Sequence, residues 1–214
     1  SKLFYVKKKI IMIPASIEIP VMDIPQKKEY SIRDKKEINI ISIGRLVKYK
    51  GYEYSIKSIS LLESNIRYTI IGAGPLHKNL NKLIKKYKLE ERVILTGEVT
   101  NEEKYKLLSK SDIFLFPSTT KAEAYGLVQI EAMYYRLPIV NTFLDNGVNY
   151  LVPEDVAITC RVKREEDIYS AINKLINDDQ FYREMSQKSF KNLARFNKTD
   201  EMRSKFRSLF KSIS

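Results

Sequence analysis

Apolar runs alternate with helically spaced apolar residues along the chain from Ile38 onward. The runs are rich in β-branched residues and lack polar alternation, which is typical of strands covered on both faces. We predict six strands, at residues 38–44, 68–74, 92–97, 112–118, 137–142 and 156–160. Helical spacing predicts helices at residues 52–63, 75–89, 101–111, 126–136, 165–177 and 179–195. Strands and helices therefore alternate, joined by short connections.

This alternation predicts an α/β fold. Strands buried on both faces need helices on each side of a parallel sheet, which is the doubly wound, Rossmann-like architecture. We assign it to residues 38–195 and expect a basic helix over residues 196–214. Two helix starts carry local signals, because Pro75 suits a first helical position and Thr100 with Glu103 forms a capping box.

Composition and charge narrow the classes of function. At 43% hydrophobic residues the chain can bury a core. Its net charge of +12 favours anionic partners, and the alternative is that the basic residues only form a solvated surface. Cys160 and His77 are the only residues of their kinds, which excludes an intrachain disulfide and argues against structural zinc and against His-based nucleophilic schemes. With no apolar run of about 18 residues and no recognisable targeting segment, we expect a cytoplasmic protein.

Ligands of doubly wound sheets bind outside the carboxyl ends of the strands. The loops at that edge are predicted at residues 44–51, 72–76, 97–101, 117–126 and 142–149. These five loops are therefore where we look for functional residues.

The first of these loops carries two cations after a glycine. Gly44 ends the first strand, and Arg45 and Lys50 follow it. A forked guanidinium and a compact ammonium together suit a diphosphate, although Lys and Arg are more often solvated surface residues. The loop at 72–76 does not complete the G-x-G-x-x-G fingerprint, so Gly72 and Gly74 are interpreted as turn residues and a dinucleotide enzyme is disfavoured.

The stretch AEAYGLVQIE places two carboxylates around a glycine. Gly126 precedes a predicted helix, whose first free amides are suited to an anion. Glu131, about one and a half turns into that predicted helix, can accept hydrogen bonds from a ribose, and Glu123 can reach whatever lies beyond the phosphates. Carboxylates near helix starts are common, so the spacing alone establishes no function.

Several motifs in order resemble a known family. The succession ISIGRLVKYKG, YTIIGAGPL, VILTGEVTNEEKYKLLSKSDIFLFPS and AEAYGLVQIEAMYYRLPIV, over about residues 38–142, resembles the retaining, nucleotide-sugar-dependent glycosyl transferases group 1. These have the GT-B architecture of two Rossmann-like domains. Glu123 and Glu131 match the family's E-x7-E motif. The resemblance is to the C-terminal, donor-binding domain, so residues 1–37 would be the end of an N-terminal domain and a linker.

The resemblance implies a role for each candidate residue. Arg45 and Lys50 would hold the donor's diphosphate beside Gly44, as would the amides of Gly126, Leu127 and Val128. Glu131 would bind the ribose, Glu123 the transferred sugar, and Val99 with its neighbours would line the base. Tyr125 belongs to the same donor loop. No metal or other cofactor is expected, because side chains and amides supply the positive charge, and the chain has no D-x-D tripeptide.

Two departures from the family pattern limit what can be predicted about the sugar. The common E-G-F-G reads EAYG here, with Ala124 and Tyr125, and the common G-G-x-x-E segment is replaced by NTFLDNGVNYLV. We expect a UDP-sugar donor, retention of configuration, and a role in surface polysaccharide or glycolipid synthesis. The isolated domain is expected to be inactive without its own N-terminal acceptor domain.

Other functions remain open at this stage. The chain could be a stand-alone nucleotide-binding or partner-binding module, or part of a GT-B-type epimerase or phosphorylase. Basic residues interleaved with aromatic ones over residues 183–214 could contact an anionic membrane at its inner face, although packing on the N-terminal domain is the stronger interpretation. Nucleic-acid binding is not expected, because no recognised motif or basic stripe is present.

Overall fold

The computed structural model of the protein describes residues 31–196, and six parallel strands lie in this range. They are β1 (Ile38–Ile43), β2 (Ile66–Ile71), β3 (Val93–Gly97), β4 (Ile113–Phe116), β5 (Ile139–Thr142) and β6 (Ala157–Cys160). They form a sheet in the order β3-β2-β1-β4-β5-β6, with every neighbouring pair parallel. The predicted α/β, Rossmann-like doubly wound sheet is confirmed.

Seven α-helices connect or follow these strands. They are α1 (Tyr52–Ser60), α2 (His77–Lys86), α3 (Asn101–Lys110), α4 (Val128–Tyr134), α5 (Gly147–Leu151), α6 (Glu165–Asn177) and α7 (Asp179–Asn192). Single 3-10 turns lie at Lys48–Lys50 and Leu193–Arg195. The predicted capping box at Thr100 and Glu103 is present at the start of α3.

Two helices start later than predicted, and one helix was not predicted. Helix α2 begins at His77 instead of Pro75, and α4 begins at Val128 because Gly126 has a left-handed φ of 63° that no helix contains. Helix α5 lies in a segment that was predicted as loop through residue 149. It forms because the Asn146 side chain accepts from the Val148 amide at 3.0 Å and because Val148 is buried.

Alternate residues of the strands enter two hydrophobic clusters, one on each face of the sheet. Ile40, Tyr68 and Leu115 pack in the cluster that includes residues of α1, α2 and α6. Ile41 and Phe114 pack in the other, with residues of α3, α4 and α5. Both faces of the strands are therefore apolar, as the sequence pattern predicts.

The folded unit begins before the predicted boundary at residue 38. Ile32 is completely buried, and its amide donates to Asp179 Oδ1 at 2.9 Å. Ile32 therefore packs on the domain. Helix α7 crosses the edge where the strands begin, with Tyr182 donating to the Asp112 carbonyl at 3.0 Å. The rest of the predicted linker (1–30) and most of the predicted basic helix (197–214) lie outside the described residues.

Candidate functional site

The sheet changes its direction of winding between β1 and β4. These two strands are neighbours, yet the chain leaves β1 toward β2 on one side and β4 toward β5 on the other. In open α/β sheets a crevice opens at the carboxyl ends of such a pair. The loops at residues 44–51 and 117–126 follow these strands, so the loops that carry Arg45, Lys50 and Glu123 begin at the point that favours a ligand.

Backbone contacts fix these two loops against each other. The amide of Thr119 donates to the Tyr49 carbonyl at 2.7 Å. Gly51 has a left-handed φ of 69°, and a Cβ there would lie 2.0 Å from the Pro117 carbonyl oxygen. The contact excludes any larger residue at position 51, so the turn carrying Lys50 has a defined place beside the second loop.

Lys50 and Glu123 form an ion pair in the crevice. The Lys50 ammonium contacts Glu123 Oε2, and the two side chains are only 12% and 11% exposed. The Ser118 hydroxyl donates to the same oxygen at 3.3 Å, and Lys50 Nζ lies 5.2 Å from the centroid of the Phe116 ring. An ammonium and a carboxylate with so little water around them interact strongly.

Gly44 provides the space for the lysine. A Cβ at this position would lie 3.0 Å from Lys50 Cε, and the Tyr52 hydroxyl donates to the Gly44 carbonyl at 3.2 Å. Burial raises the pKa of Tyr52, and the nearby Tyr68 and Glu123 raise it further. Tyr52 therefore remains a neutral hydrogen-bond donor beneath the ion pair.

Arg45 lies at the mouth of the crevice. Its side chain is exposed, and within residues 31–196 no hydrogen bond or ion pair holds its guanidinium. The loop of Gly72 and Gly74 packs directly behind it, because a Cβ on Gly72 would lie 2.2 Å from the Gly44 carbonyl and one on Gly74 would lie 2.6 Å from that of Leu46. The sequence predicted only that these glycines form a turn. The structure shows that they also allow two backbone segments to lie in direct contact.

The loop before α4 presents unused amides. Gly126 is buried, and a Cβ there would lie 2.6 Å from Phe116 Cζ, while the side chains of Tyr125 and Leu127 are exposed. In the part of the chain that the structure describes, no group accepts from the amides of Gly126, Leu127 and Val128. They have the donor capacity that was predicted for an anion.

Glu131 lies in the first turn of α4, closer to its start than was predicted from a helix beginning at Gly126. Its Oε2 is 2.8 Å from Lys104 Nζ on α3, and the two side chains are 20% and 16% exposed. Val99, predicted to line the base, is half-buried at the start of the loop that leads into α3. The structure thus brings Lys50 and Glu123 together and leaves Arg45 and Glu131 separate from that pair.

Three residues at the site were not predicted. Ser118 and Lys104 contact the two glutamates, and the Asn146 side chain donates to the Glu123 carbonyl at 2.6 Å while capping α5. Ser118 could have been found from its place directly after β4. Lys104 and Asn146 carry no signal in the sequence, since their contacts depend on how separate helices pack.

A comparison with known proteins identifies the family. The model of glycosyl transferases group 1 matches residues 23–192. The chain belongs to this family.

Relatives agree with this glycosyltransferase assignment. An uncharacterized glycosyltransferase of Haemophilus influenzae is 32% identical over 178 residues, which are 81% of this chain and 48% of that protein. The Campylobacter jejuni N-acetylgalactosamine-N,N'-diacetylbacillosaminyl-diphospho-undecaprenol 4-alpha-N-acetylgalactosaminyltransferase is 29% identical over 180 residues, 83% of this chain and 46% of that protein. The glycosyltransferase chain therefore spans about half the length of these relatives.

The fold of this glycosyltransferase domain is shared with solved structures. Anabaena HepE in complex with UDP superposes with a TM-score of 0.74 at 20% identity, covering 83% of this chain and 49% of that one. Within residues 31–196 no helix is long and apolar enough to span a bilayer, and no group of three or more His, Cys, Asp or Glu could hold a metal ion.

Proposed function

We propose that this chain is the donor-binding half of a retaining glycosyltransferase that uses a nucleoside-diphosphate sugar, most simply a UDP-sugar. The observation that carries the proposal is the Lys50–Glu123 pair at the crevice between β1 and β4. It puts a cation where a diphosphate would lie and a carboxylate where the sugar would follow. The UDP and UDP-glucose complexes of HepE support this choice of donor.

In this proposal the donor replaces the internal ion pair. The diphosphate takes the Lys50 ammonium and the Arg45 guanidinium, and the free amides of residues 126–128 donate to it. When the bond between the anomeric carbon and the phosphate oxygen breaks, the diphosphate gains negative charge that these donors stabilise. Since they supply the positive charge, we propose that no metal is needed.

The carboxylates would bind hydroxyl groups. Glu123, released from Lys50, accepts hydrogen bonds from the transferred sugar, and Glu131 accepts from the ribose beside a base lined by Val99. The acceptor oxygen replaces the diphosphate at the anomeric carbon on the same face, and its hydroxyl proton passes to the departing diphosphate oxygen. The N-terminal domain of the whole protein would supply the acceptor site.

The relatives support a proposal for the acceptor class. The name of the Campylobacter enzyme describes a lipid-linked sugar acceptor, which supports a role in surface polysaccharide or glycolipid synthesis. We propose a cytoplasmic location with peripheral contact at the inner face of the membrane. The relatives reported above are named as glycosyltransferases, so no observation favours the epimerase or the stand-alone module.

Calorimetric titration with UDP, GDP and ADP tests the proposal. We expect UDP to bind with a dissociation constant below about 1 mM, which corresponds to about 4 kcal/mol of binding free energy. The chain alone should transfer no sugar from UDP-glucose. If none of the three nucleotides binds at that concentration, the proposed function is wrong.

A further inference from the structure

Lys104 is the inward-facing lysine of α3. The other lysines of the helix, Lys106 and Lys110, are exposed, whereas the Lys104 side chain is 16% exposed and its ammonium lies 2.8 Å from Glu131 Oε2. A lysine loses much rotamer freedom when it is held in this way. The contact joins α3, which follows the base-lining loop, to the carboxylate assigned to the ribose.

Two features hold Lys104 in place. The capping box of Thr100 and Glu103 fixes the first turn of α3, with the Thr100 amide donating to Glu103 Oε2 at 2.9 Å. The ammonium also lies 4.7 Å from the centroid of the Tyr105 ring, and that ring stacks on Tyr135 at 6.4 Å between centroids. The lysine is therefore bound to a carboxylate and to an aromatic face together.

The pair determines which oxygen of Glu131 can serve a ligand. Oε2 is buried and forms an ion pair with the ammonium, but among the described residues no donor is aligned to give it a hydrogen bond. The ion pair keeps this oxygen turned toward α3, and Oε1 keeps its capacity to accept from a ligand. A carboxylate oxygen also accepts stronger hydrogen bonds from hydroxyl groups than a neutral acceptor does. Burial raises the pKa of Tyr135 to about 12, and the nearby Tyr134, Tyr105 and Glu131 raise it further.

We propose that Lys104 is a positioning residue that holds the Glu131 carboxylate in place, with Oε1 directed at the ribose hydroxyls of the nucleotide. The inference rests on the proposed function, because it concerns the same donor site. Lys104 lies outside the E-x7-E motif. Its role can be measured separately, as the preference for a nucleotide with ribose hydroxyls over one without them. Lys104 itself need not touch the nucleotide.

The experiment compares UDP with 2′,3′-dideoxy-UDP in calorimetric titrations of four proteins: the wild type, Lys104→Met, Lys104→Arg and the control Lys106→Met. The wild type should bind UDP more tightly than the dideoxy nucleotide. Lys104→Met should weaken the binding of UDP roughly tenfold. It should change the affinity for the dideoxy nucleotide by less than about twofold, because the lost interaction requires the ribose hydroxyls. Lys104→Arg should restore much of the discrimination, and Lys106→Met should resemble the wild type.

A double-mutant cycle with Glu131→Gln completes the test. Adding Lys104→Met to Glu131→Gln should cost little further UDP affinity, because both changes remove the same interaction. Equal losses for UDP and dideoxy-UDP would mean that Lys104 only supports packing, and an unchanged ratio in Lys104→Met would also overturn the proposal. A wild type that binds UDP without discriminating against the dideoxy form would contradict the ribose role alone, whereas a wild type that binds no nucleotide would contradict the proposed function.

Discussion

At the edge of the sheet where the strands begin, charged side chains bind the protein's own structure. Arg92 donates to four carbonyl oxygens between residues 59 and 66 at 2.6 to 3.2 Å. Asp112 is completely buried, accepts from the Asn39 amide at 2.9 Å and pairs with Lys35 at 2.6 Å. Each of these charges joins elements that are distant in sequence.

At the opposite edge, among the described residues, the charged side chains of Arg45, Lys50 and Glu123 make no hydrogen bonds to the backbone. Lys50 and Glu123 bind each other, and the exposed Arg45 has no ion-pair partner within residues 31–196. The amides of residues 126–128 are likewise unused there. A buried charge bound to the backbone cannot change partners without unfolding, whereas an ion pair that opens into a crevice can. The comparison indicates that one edge stabilises the domain and the other is available to a ligand.

Replacing Asp112 by alanine should have the largest effect, and it should fall on stability. The change removes the acceptor of the Asn39 amide and the partner of Lys35, so we expect a loss of about 3 kcal/mol in the free energy of unfolding. Urea denaturation measures the loss, and the folded fraction should bind UDP as the wild type does. The control is Glu37→Ala, which removes an exposed pair with Arg67 at the same edge and should cost less than about 1 kcal/mol. Equal losses in the two variants would contradict the division between the edges.

Replacing Lys50 by methionine should act mainly on binding. Methionine keeps most of the apolar contact with Phe116 but removes the cation, so UDP affinity should fall roughly 100-fold, or about 2.7 kcal/mol. Calorimetric titration measures this change. The matched control is Lys48→Met, because Lys48 is exposed on the same 3-10 turn and should alter affinity by less than about threefold. A stability loss as large as that of Asp112→Ala, with UDP affinity unchanged, would place Lys50 among the structural charges.

The sequence was sufficient for features that depend on local pattern. All six strands were predicted because residues such as Ile40 and Ile41 alternate between two apolar faces, and both faces are covered. The loops carrying Lys50 and Glu123 could be assigned to the carboxyl edge, since strand order in a parallel sheet puts all carboxyl ends together.

Features that depend on contacts between distant segments were not predictable. The pairing of Lys50 with Glu123 joins residues 73 positions apart, and that of Lys104 with Glu131 joins two helices. The late start of α4 follows from the packing of Gly126 against Phe116, which no local signal in the sequence reports. The tight backbone contacts of Gly72 and Gly74 likewise depend on where the loop after β1 lies.

Replacing Glu123 by glutamine should change UDP affinity least, and it should strengthen binding where Lys50→Met weakens it. In the free protein this carboxylate competes with the diphosphate for the Lys50 ammonium, so glutamine should release the lysine and strengthen UDP binding roughly threefold, or about 0.65 kcal/mol. The amide can still accept from Ser118, which limits any disturbance of the loop. Calorimetric titration of UDP and of UDP-glucose should show the gain for UDP and a smaller gain, or a loss, for the sugar nucleotide.

The direction in which Glu123→Gln changes UDP affinity shows whether the Lys50–Glu123 pair is a structural contact or competes with the ligand. If the pair serves only to hold Lys50 in position, losing the carboxylate lets the lysine move and UDP binds more weakly. If ligand and carboxylate compete, UDP binds more tightly although an ion pair has been lost. The control is Glu131→Gln, in which no competition with the diphosphate is relieved and UDP affinity should fall. Opposite changes in these two variants would assign the two glutamates of one motif to different parts of the donor.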